Sequence, residues 1–396
     1  MSRILVWSPN YAPEPTGIPP LVTDAAEWLA QARHDVDVAT AVPNYPERSI
    51  HVGYRGVLFC TEMRNGVRVH RSWLRARPEH SFADKALYEL TISTFALPNA
   101  VRLARRSDVI VCVIPTLMAA RYAATLARAL NKRLVIWVQD LVLAAAESVG
   151  IGPTARRALS AARRVERAVV RAADTVVVCS SGFRDYLIRS GADPEKIETI
   201  HNWADVDWIK ATQPSANGHP TRFLYAGNLG YTQGFETLID AARLGGDRFS
   251  VEIVGAGNAA ADVRRLADPR PNVFVREPVG RADYPGLLAS ADAHVVLQRR
   301  ISAGANLPSK IATYMASGRP IIASIDGETP AADLLRKSGG AILVEPESPQ
   351  ALAHAMGELG RDPVRRSELG RRGREFAERH LAKEPALGRL EAAILG

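Results

Sequence analysis

The sequence is poor in cysteine and in aromatic residues. Only three cysteines occur among 396 residues, far apart at Cys60, Cys112 and Cys179. This pattern excludes a disulfide framework or a cysteine metal site and indicates a reducing compartment. Aromatic residues make up 6% of the chain, and no basic run is interleaved with aromatics that could stack on bases. We therefore expect no nucleic acid as a partner.

Long apolar stretches are also missing. No run of 18 or more apolar residues occurs, which argues against a membrane-spanning helix. The first residues pass from a short apolar stretch into Pro9, Pro13 and Pro15, without the basic region, apolar core and cleavage site of a secretory signal. We expect a cytoplasmic protein.

What is present is a globular composition with an excess of positive charge. The chain is 47% hydrophobic and 23% charged, with a net charge of +8. A length of 396 residues exceeds what one hydrophobic core usually organises and predicts two domains. The positive charge predicts an anionic partner such as a phosphorylated ligand or an acidic membrane face.

Part of this charge follows a helical spacing between alanine, leucine and valine residues. The arginines concerned are Arg156, Arg157, Arg163, Arg164, Arg167 and Arg171. One interpretation is a solvated helix face. The other is a peripheral contact with the anionic inner face of a membrane, because a basic amphipathic helix adsorbs to anionic lipid.

Short apolar runs alternate with helical patterns along the chain. In the first half they cover residues 4–7, 36–40, 67–72, 109–114, 134–138 and 175–179, and in the second half residues 223–226, 250–254, 273–275, 294–297, 321–324 and 341–344. A polar, turn-rich stretch at 212–221 separates the halves. The pattern predicts an α/β protein with two tandem Rossmann-like domains, each a doubly wound parallel sheet. Ligands of such sheets bind beyond the carboxyl ends of the strands.

The loops after these strands contain the candidate site residues. Residues 8–18 include Tyr11, Thr16 and Gly17, and residues 224–234 form a glycine-rich connection that resembles a phosphate cradle. No Gly-Lys-Ser/Thr follows that connection, so it is not a nucleoside-triphosphate loop. Residues 254–258 (VGAGN) superficially begin a dinucleotide fingerprint, but they lie outside the first βα turn.

The most specific loop covers residues 297–311 (LQRRISAGANLPSKI). Ser309 is a plausible helix N-cap, and amides near it would point at a bound diphosphate. Arg299, Arg300 and Lys310 supply positive charge for a departing nucleoside diphosphate; the alternative is a solvated basic loop. No His/Asp/Glu cluster has metal-ligand spacing, so we expect neither a metal nor a cofactor.

Taken in order, these motifs resemble those of glycosyltransferase family 4, retaining enzymes of GT-B fold, and within it the WcaI-type transferases of colanic-acid and related exopolysaccharide synthesis. The resemblance covers essentially the whole chain. Its matching segments are residues 10–18, 113–116, 138–140, 202–203, 227–234, 254–257, 307–310 and 344–348.

The resemblance implies that the N-terminal domain, residues 1–205, binds a saccharide or lipid-linked acceptor, and that residues 206–375 bind a nucleotide-diphosphate sugar linked to UDP or GDP. Residues 376–396 would be a helix that crosses back to the N-terminal domain. The cleft between the domains would be the site of a hexosyl transfer in polysaccharide synthesis, with Asp140, Lys310 and Arg299 as catalytic residues. The donor contacts implied are Gly17, Asn228, Gly230, Gln233, Gly255, Pro278, Val279, Asn306, Leu307, Pro308, Ser309 and Thr313. The acceptor contacts implied are Tyr11, Thr16 and Glu147.

The chain departs from the family pattern at three places. Relatives often carry Glu-x7-Glu where this chain has Ala305 and Thr313, and an arginine and a lysine where it has Asn228 and Gln233. Many also have a His-Asp pair where this chain has Gln139 and Asp140. We therefore expect Arg299 and Lys310 to supply more of the charge, and Asp140 to be the acidic group nearest the sugar, with Glu147 in reserve; a helix cap is the other interpretation of Asp140.

Two other functions remain open at this point. A nucleotide-sugar epimerase can share the GT-B fold, but it would be expected to carry several carboxylates and histidines in the cleft. A catalytically impaired relative that acts as a partner subunit is favoured by the loss of both carboxylates of the Glu-x7-Glu pattern.

Overall fold

The computed structural model describes residues 1–15, 17–45, 48–77, 82–141, 143, 153–211, 220–300 and 307–396. This part of the chain forms two compact units, Met1–His201 with Ala386–Gly396, and Asn202–Pro385. The boundaries predicted at 205/206 and 375/376 lie at 201/202 and 385/386 in the structure. None of the helices in the described ranges is long and apolar enough to cross a lipid bilayer.

The first unit is built on an eight-stranded sheet with the order β3-β4-β2-β1-β5-β6-β7-β8. The strands are β1 Arg3–Trp7, β2 Asp35–Ala41, β3 Phe59–Arg64, β4 Val67–Ser72, β5 Val109–Ile114, β6 Arg133–Val138, β7 Thr175–Val178 and β8 Ile197–Thr199. All pairs are parallel except β3 with β4. The helices are α1 Ile18–Gln31, α2 Phe82–Ala104, α3 Leu117–Leu130, α4 Pro153–Ala172, α5 Ser181–Arg189 and, from Ala386 onward, α13 Lys383–Leu395.

The second unit contains a six-stranded parallel sheet with the order β11-β10-β9-β12-β13-β14. Its strands are β9 Thr221–Ala226, β10 Phe249–Val254, β11 Val273–Arg276, β12 Ala293–Leu297, β13 Ile321–Ser324 and β14 Ala341–Val344. Its helices are α6 Phe235–Gly245, α7 Ala260–Ala267, α8 Tyr284–Ala289, α9 Lys310–Ala316, α10 Pro330–Ser338, α11 Pro349–Arg361 and α12 Pro363–His380.

The predicted strands of both halves are confirmed, and so is the fold class. The central strands are continuous apolar runs because helices cover both faces of a parallel sheet; every residue of β5, for example, is buried. The strands β3 and β8 were not predicted. β3 mixes polar and apolar residues because it is an edge strand whose side chains alternate between exposed and half-buried, and β8 has only three residues.

The chain end is divided between the units by two sets of contacts. The Arg374 guanidinium of α12 donates to the carbonyl of Val206 at 2.8 Å, which fixes α12 in the second unit. In α13, Glu391 accepts from the indole N–H of Trp28 at 2.8 Å, and the carbonyl of Ile394 accepts from Arg133 at 3.0 Å. The residues that join the first unit therefore begin after α12, later than predicted.

Candidate functional site

In the second unit, the direction in which the chain adds strands to the sheet reverses between β9 and β12. From β9 the chain proceeds outward to β10 and β11, and then returns to place β12 on the other side of β9. The loops at the carboxyl ends of such a strand pair leave a crevice between them, which is the usual ligand site of an open α/β sheet. The glycine-rich loop of residues 227–234 follows β9.

That loop packs directly on the loop that follows β10. The Gly227 amide donates to the carbonyl of Val254 at 2.9 Å, and the Leu229 amide donates to that of Ala256 at 2.8 Å. A Cβ placed on Gly255 would lie 1.9 Å from the Gly227 carbonyl oxygen. Glycine is therefore required at position 255 by the packing of one backbone on another. The contact of Gly255 with a nucleoside stays a prediction.

Lys310 is the first residue of α9, and its side chain reaches the start of the glycine-rich loop. The ammonium nitrogen lies 3.6 Å from the centroid of the Tyr225 ring, a cation–π contact. A Cβ on Gly227 would lie 3.2 Å from the same nitrogen. Within the described ranges, no hydrogen-bond or carboxylate partner is found for this ammonium group. Lys310 thus places an ammonium group that has no acidic partner among the described residues beside the backbone of Gly227. A side chain at position 227 would crowd this group.

The environment of Lys310 is unfavourable for its charge. Desolvation against Tyr225 and the loop lowers the pKa of Lys310 to about 7. Removal of water penalises the charged form of an amine, and a bound anion would restore that form. The lysine is therefore placed so that an anionic ligand would gain a partner and at the same time favour its protonation.

Arg299 and Arg300 differ from Lys310 because each already has an acidic partner. Arg299 lies 2.5 Å from Glu236 and 3.3 Å from Glu347, and it donates to the Tyr231 carbonyl at 2.8 Å. Arg300 lies 2.8 Å from Glu345. These contacts join the glycine-rich loop, the start of α6 and the loop after β14 around Arg299. Its role as a counter-charge for the diphosphate stays a prediction.

Neutral amides occupy the positions where relatives often carry basic residues. The Gln233 side-chain oxygen accepts from the Gly230 amide at 2.9 Å, so that amide is already bonded within the loop. Asn228 is exposed, and its carbonyl accepts from the Tyr225 hydroxyl at 2.8 Å. The loop is therefore held by its own amide and hydroxyl groups, and of these predicted donor contacts Asn228 offers a free surface.

The other donor contacts predicted in this unit lie around α9 and after β11. Leu307 and Pro308 are half-buried, and Ser309 is the N-cap residue but makes no side-chain capping bond. Thr313 donates to the carbonyl of Lys310 at 2.9 Å. Pro278 is exposed and Val279 packs on the core beside α9, while Asn306 lies outside the described residues.

The first unit has a different kind of loop after its own first strand. Glu14, only 3% exposed, accepts backbone N–H groups from Tyr11 at 3.1 Å, Asn44 at 2.8 Å and Tyr45 at 2.8 Å. The Asn10 side chain donates to it at 2.9 Å. Burial raises the pKa of Glu14, and these four donors oppose the shift. The loop is thus organised around a buried acidic group.

Gly17, Tyr45 and Asp140 lie at the same edge of this sheet. A Cβ on Gly17 would be 3.5 Å from the Tyr45 ring. Burial raises the pKa of the Tyr45 hydroxyl; the charge of Arg48 opposes this shift, and the charges of Glu14 and Asp140 add to it. The structure thus groups Asp140 with the loop after β1. The neighbouring candidates Thr16 and Glu147 lie outside the described residues.

Two features of this loop differ from expectation. Tyr11, predicted to contact the acceptor, lies in the core with 0% of its surface exposed, and its amide is bound to the buried Glu14. Gly17 begins a helix whose second and third residues are Pro19 and Pro20. Since proline has no N–H, the first turn offers fewer donors to an anion than predicted.

Several residues that shape these sites escaped the sequence analysis. Glu14 and Tyr45 carry signals that could have been used, since an acidic residue between two prolines and a tyrosine after a strand both fall in loops at the ligand edge. Tyr225 and Tyr314 are buried and follow the apolar pattern, so they are interpreted as core. The one sequence signal is that Tyr314 follows Lys310 by one helical turn, which places Tyr314 and Lys310 on the same side of α9.

No group of three or more His, Cys, Asp or Glu residues in the described ranges has a geometry that could hold a metal ion. Among the described residues, the polar groups near the end of β9 are the Lys310 ammonium group, amide side chains, the backbone and, farther along the loop, the Arg299 guanidinium. These groups suit an anionic, hydroxyl-rich ligand.

In comparisons with known proteins, both halves of the chain match glycosyltransferase families. Residues 16–203 match the family model described as "Glycosyl transferase 4-like domain", and residues 220–362 match "Glycosyl transferases group 1". The chain is 30% identical, over 97% of its length and 98% of the relative, to the protein of Escherichia coli that is named for glycosyl transfer in colanic acid biosynthesis, WcaI.

Solved structures share the fold over nearly whole chains. The crystal structure of Anabaena HepE in complex with UDP and glucose covers 100% of this chain and of its own, with a TM-score of 0.74 at 17% identity. Sucrose-phosphate synthase from Thermosynechococcus elongatus covers 99% of this chain and 98% of its own, with a TM-score of 0.74 at 19% identity. At these identities the likeness concerns the fold.

Proposed function

The chain belongs to glycosyltransferase family 4 of GT-B fold and is a glycosyltransferase, and from this premise we propose that it transfers a hexose from a UDP sugar, with retention of configuration. The acceptor is a saccharide or a lipid-linked saccharide of polysaccharide synthesis. The observation that carries the proposal is Lys310, whose ammonium group lies beside Gly227 at the end of β9 and has no carboxylate partner among the described residues. UDP is chosen as the nucleotide because it is bound by HepE, a neighbour in fold.

In this proposal, Lys310 is the main counter-charge of the leaving diphosphate. A preorganised cation stabilises charge that develops as the bond between the sugar C1 and the phosphate oxygen breaks. The acceptor hydroxyl forms the new bond to C1 on the same face, and its proton passes to the departing phosphate oxygen. Arg299 holds the glycine-rich loop and α6 in place through Tyr231 and Glu236.

We infer that Asp140 stabilises the positive charge that the sugar acquires in the transition state. A carboxylate is suited to this task because the transition state of glycosyl transfer resembles an oxocarbenium ion. Asp140 follows β6, at the carboxyl end of its sheet, where functional side chains of parallel sheets are found.

The experiment that tests the function is a binding and turnover screen. Titration with UDP, GDP and dTDP should give the tightest binding for UDP, and UDP-hexoses should be hydrolysed slowly and consumed faster when acceptor saccharides are added. EDTA should leave turnover unchanged, since Lys310 carries the charge of the diphosphate. Binding without any consumption of a donor would favour the catalytically impaired partner subunit. Interconversion of donor sugars would favour an epimerase. Activity that is lost in EDTA and restored by Mg²⁺ would favour a metal-dependent transferase.

We further infer that α4 brings the protein to the cytoplasmic face of an anionic membrane, where a lipid-linked acceptor would be found. Arg164, Arg167 and Arg171 of this helix are exposed, while Val169 and Val170 are buried; the side chains of Arg156 and Arg157 lie outside the described ones. A row of exposed arginines is attracted to anionic lipid by about 1 kcal/mol for each residue close to the surface.

Replacing these three arginines by glutamine should weaken binding to vesicles that contain phosphatidylserine and leave UDP affinity unchanged. The matched control replaces Arg371, Arg372 and Arg379 of α12, which removes the same charge from the second unit. Equal vesicle binding by the parent and the α4 variant, or equal losses in both variants, would leave α4 as a solvated helix.

A further inference from the structure

The strands β9 and β12 separate before β9 ends. The pairing of β9 with β10 extends along the whole strand, from Thr221 to Ala226. Its pairing with β12 stops after two residues, Phe223 and Leu224. The last part of β9 therefore has no strand partner on the β12 side, at the point where the direction of the sheet connections changes.

The hydroxyl of Tyr314 takes the place of the missing strand. It accepts from the Ala226 amide at 2.8 Å and donates to the Ala226 carbonyl at 3.0 Å. In a parallel sheet both backbone groups of a residue point to the same neighbour, and the next amide, that of Gly227, already points to β10. One phenol group thus satisfies both groups of Ala226 that would otherwise be unpaired in the interior.

Tyr314 is enclosed by the core in this position. It has no exposed surface, and its ring stacks on that of His294 of β12 with 4.3 Å between centroids. The tyrosine therefore contacts both the last residue of β9 and the second residue of β12, and its bonds to Ala226 fix the backbone immediately before Gly227.

Lys310 is on the same side of α9, one turn before Tyr314. Its ammonium group reaches Tyr225 and Gly227, the residues on either side of Ala226. Two side chains of one helix thus contact three consecutive residues of the chain. Tyr314 is hydrogen-bonded to the middle residue, Ala226, and the Lys310 ammonium group lies close to the residues before and after it.

We propose that Tyr314 is a positioning residue that binds the end of β9 where β12 no longer pairs with it and fixes the backbone of Gly227 relative to Lys310, so that a nucleoside diphosphate can bind there. The inference rests on the proposed function and deepens it. It assigns the geometry of the phosphate site to a buried hydroxyl that does not touch the ligand. Without that hydroxyl, the end of β9 would have to find other partners, and the ammonium group and the loop would no longer face the ligand together.

The test compares Tyr314→Phe with Ser317→Ala. Ser317 follows α9, and its hydroxyl lies 2.9 Å from His294 Nε2 and donates to the Tyr314 carbonyl at 2.7 Å, so its loss also removes buried hydrogen bonds from this region. Both variants should melt below the parent. Titration with UDP well below either melting temperature should show affinity reduced about tenfold or more in Tyr314→Phe, the equivalent of one to two hydrogen bonds, and unchanged in Ser317→Ala.

The donor KM of Tyr314→Phe should rise in parallel with the UDP dissociation constant, with a smaller fall in kcat. Parental UDP affinity in a folded Tyr314→Phe, or an equal loss in Ser317→Ala, would overturn the proposal and leave Tyr314 as a core residue. If Tyr314→Phe does not fold, hydrogen exchange in the parent decides. UDP should then slow the amides of residues 225–229, and unchanged exchange there would overturn the proposal.

Failure of this inference can be distinguished from failure of the proposed function. If Lys310→Ala loses UDP binding but Tyr314→Phe binds UDP with the affinity of the parent, only the positioning role is overturned. Equal UDP binding by the parent and Lys310→Ala would overturn the phosphate site itself, and the role of Tyr314 with it.

Discussion

The loops after β1 and after β9 occupy the same place in their two sheets but meet charged groups of opposite sign. In the first unit, the buried carboxylate of Glu14 binds the amides of Tyr11, Asn44 and Tyr45. In the second, the loop contains Gly227, Gly230 and Gly234 and meets the ammonium group of Lys310 at Gly227. Backbone amides of both loops are bound by protein groups, and the second loop in addition meets a cation for which the described residues offer no carboxylate partner. A shared topology thus leaves the choice of ligand to the charged group that meets the loop.

The strongest test of this contrast is the loss of the cation. Lys310→Ala should reduce kcat/KM for the donor by about 100- to 1,000-fold, because a preorganised donor to a developing charge is worth roughly 3 to 4 kcal/mol. UDP affinity should also fall. The matched control is Lys337→Ala, which removes an exposed lysine from the same unit. If Lys310→Ala and the control both behave like the parent, the phosphate site lies elsewhere.

The corresponding change in the first unit should separate chemistry from binding. Asp140→Asn should lower kcat by about 100-fold, since the carboxylate would act on charge that exists only in the transition state. The dissociation constant of UDP should stay within roughly twofold of that of the parent. Asp185→Asn, at an exposed position of α5, serves as the control. A folded Asp140→Asn variant with parental kcat would make Asp140 a helix cap and direct attention to Glu147.

Glu14→Gln tests whether the first loop depends on its carboxylate. The amide presents an NH2 group to the N–H donors that now bind Glu14, so we expect a loss of about 2 kcal/mol in the free energy of unfolding. Thermal melting should fall by several degrees, roughly 2 to 4 °C for each kcal/mol, whereas UDP affinity should not change. Glu195→Gln, at an exposed position of the same unit, is the control. A Glu14→Gln melting curve that superimposes on the parent's would show that the carboxylate is dispensable.

The smallest expected effect is the pH dependence of UDP affinity. The pKa of Lys310 is about 7 in the free protein, so its amine is neutral in most molecules at pH 8.5. A bound diphosphate favours the charged form. Binding at pH 8.5 should take up close to one proton, and affinity should fall by at most about tenfold per pH unit above 7. Calorimetry in two buffers of different ionisation enthalpy measures this uptake. Lys310→Arg should abolish it because the guanidinium is always charged; absence of proton uptake in the parent would contradict the role of Lys310.

The fold could be predicted from the sequence in nearly all its elements, whereas the site could be predicted only in part. Buried strands of a parallel sheet are continuous apolar runs, so the pattern of β5 or β13 is complete within a few residues of sequence. β3 escaped because an edge strand lacks that pattern. The position of Lys310 after a strand and at the start of a helix was likewise readable from local sequence.

The state of each polar group was decided by tertiary structure. Arg299 and Lys310 lie in the same sequence segment, residues 297–311, but only Arg299 meets Glu236 and Glu347, which lie on other elements. Tyr314 binds Ala226 across 88 residues of sequence, and Glu14 binds the amide of Asn44 across 30. Apolar periodicity reports which face of an element is buried, because burial repeats along it. The partner of a given charge or hydroxyl depends on how distant loops meet at the edge of a sheet, and no repeat in the sequence encodes that meeting.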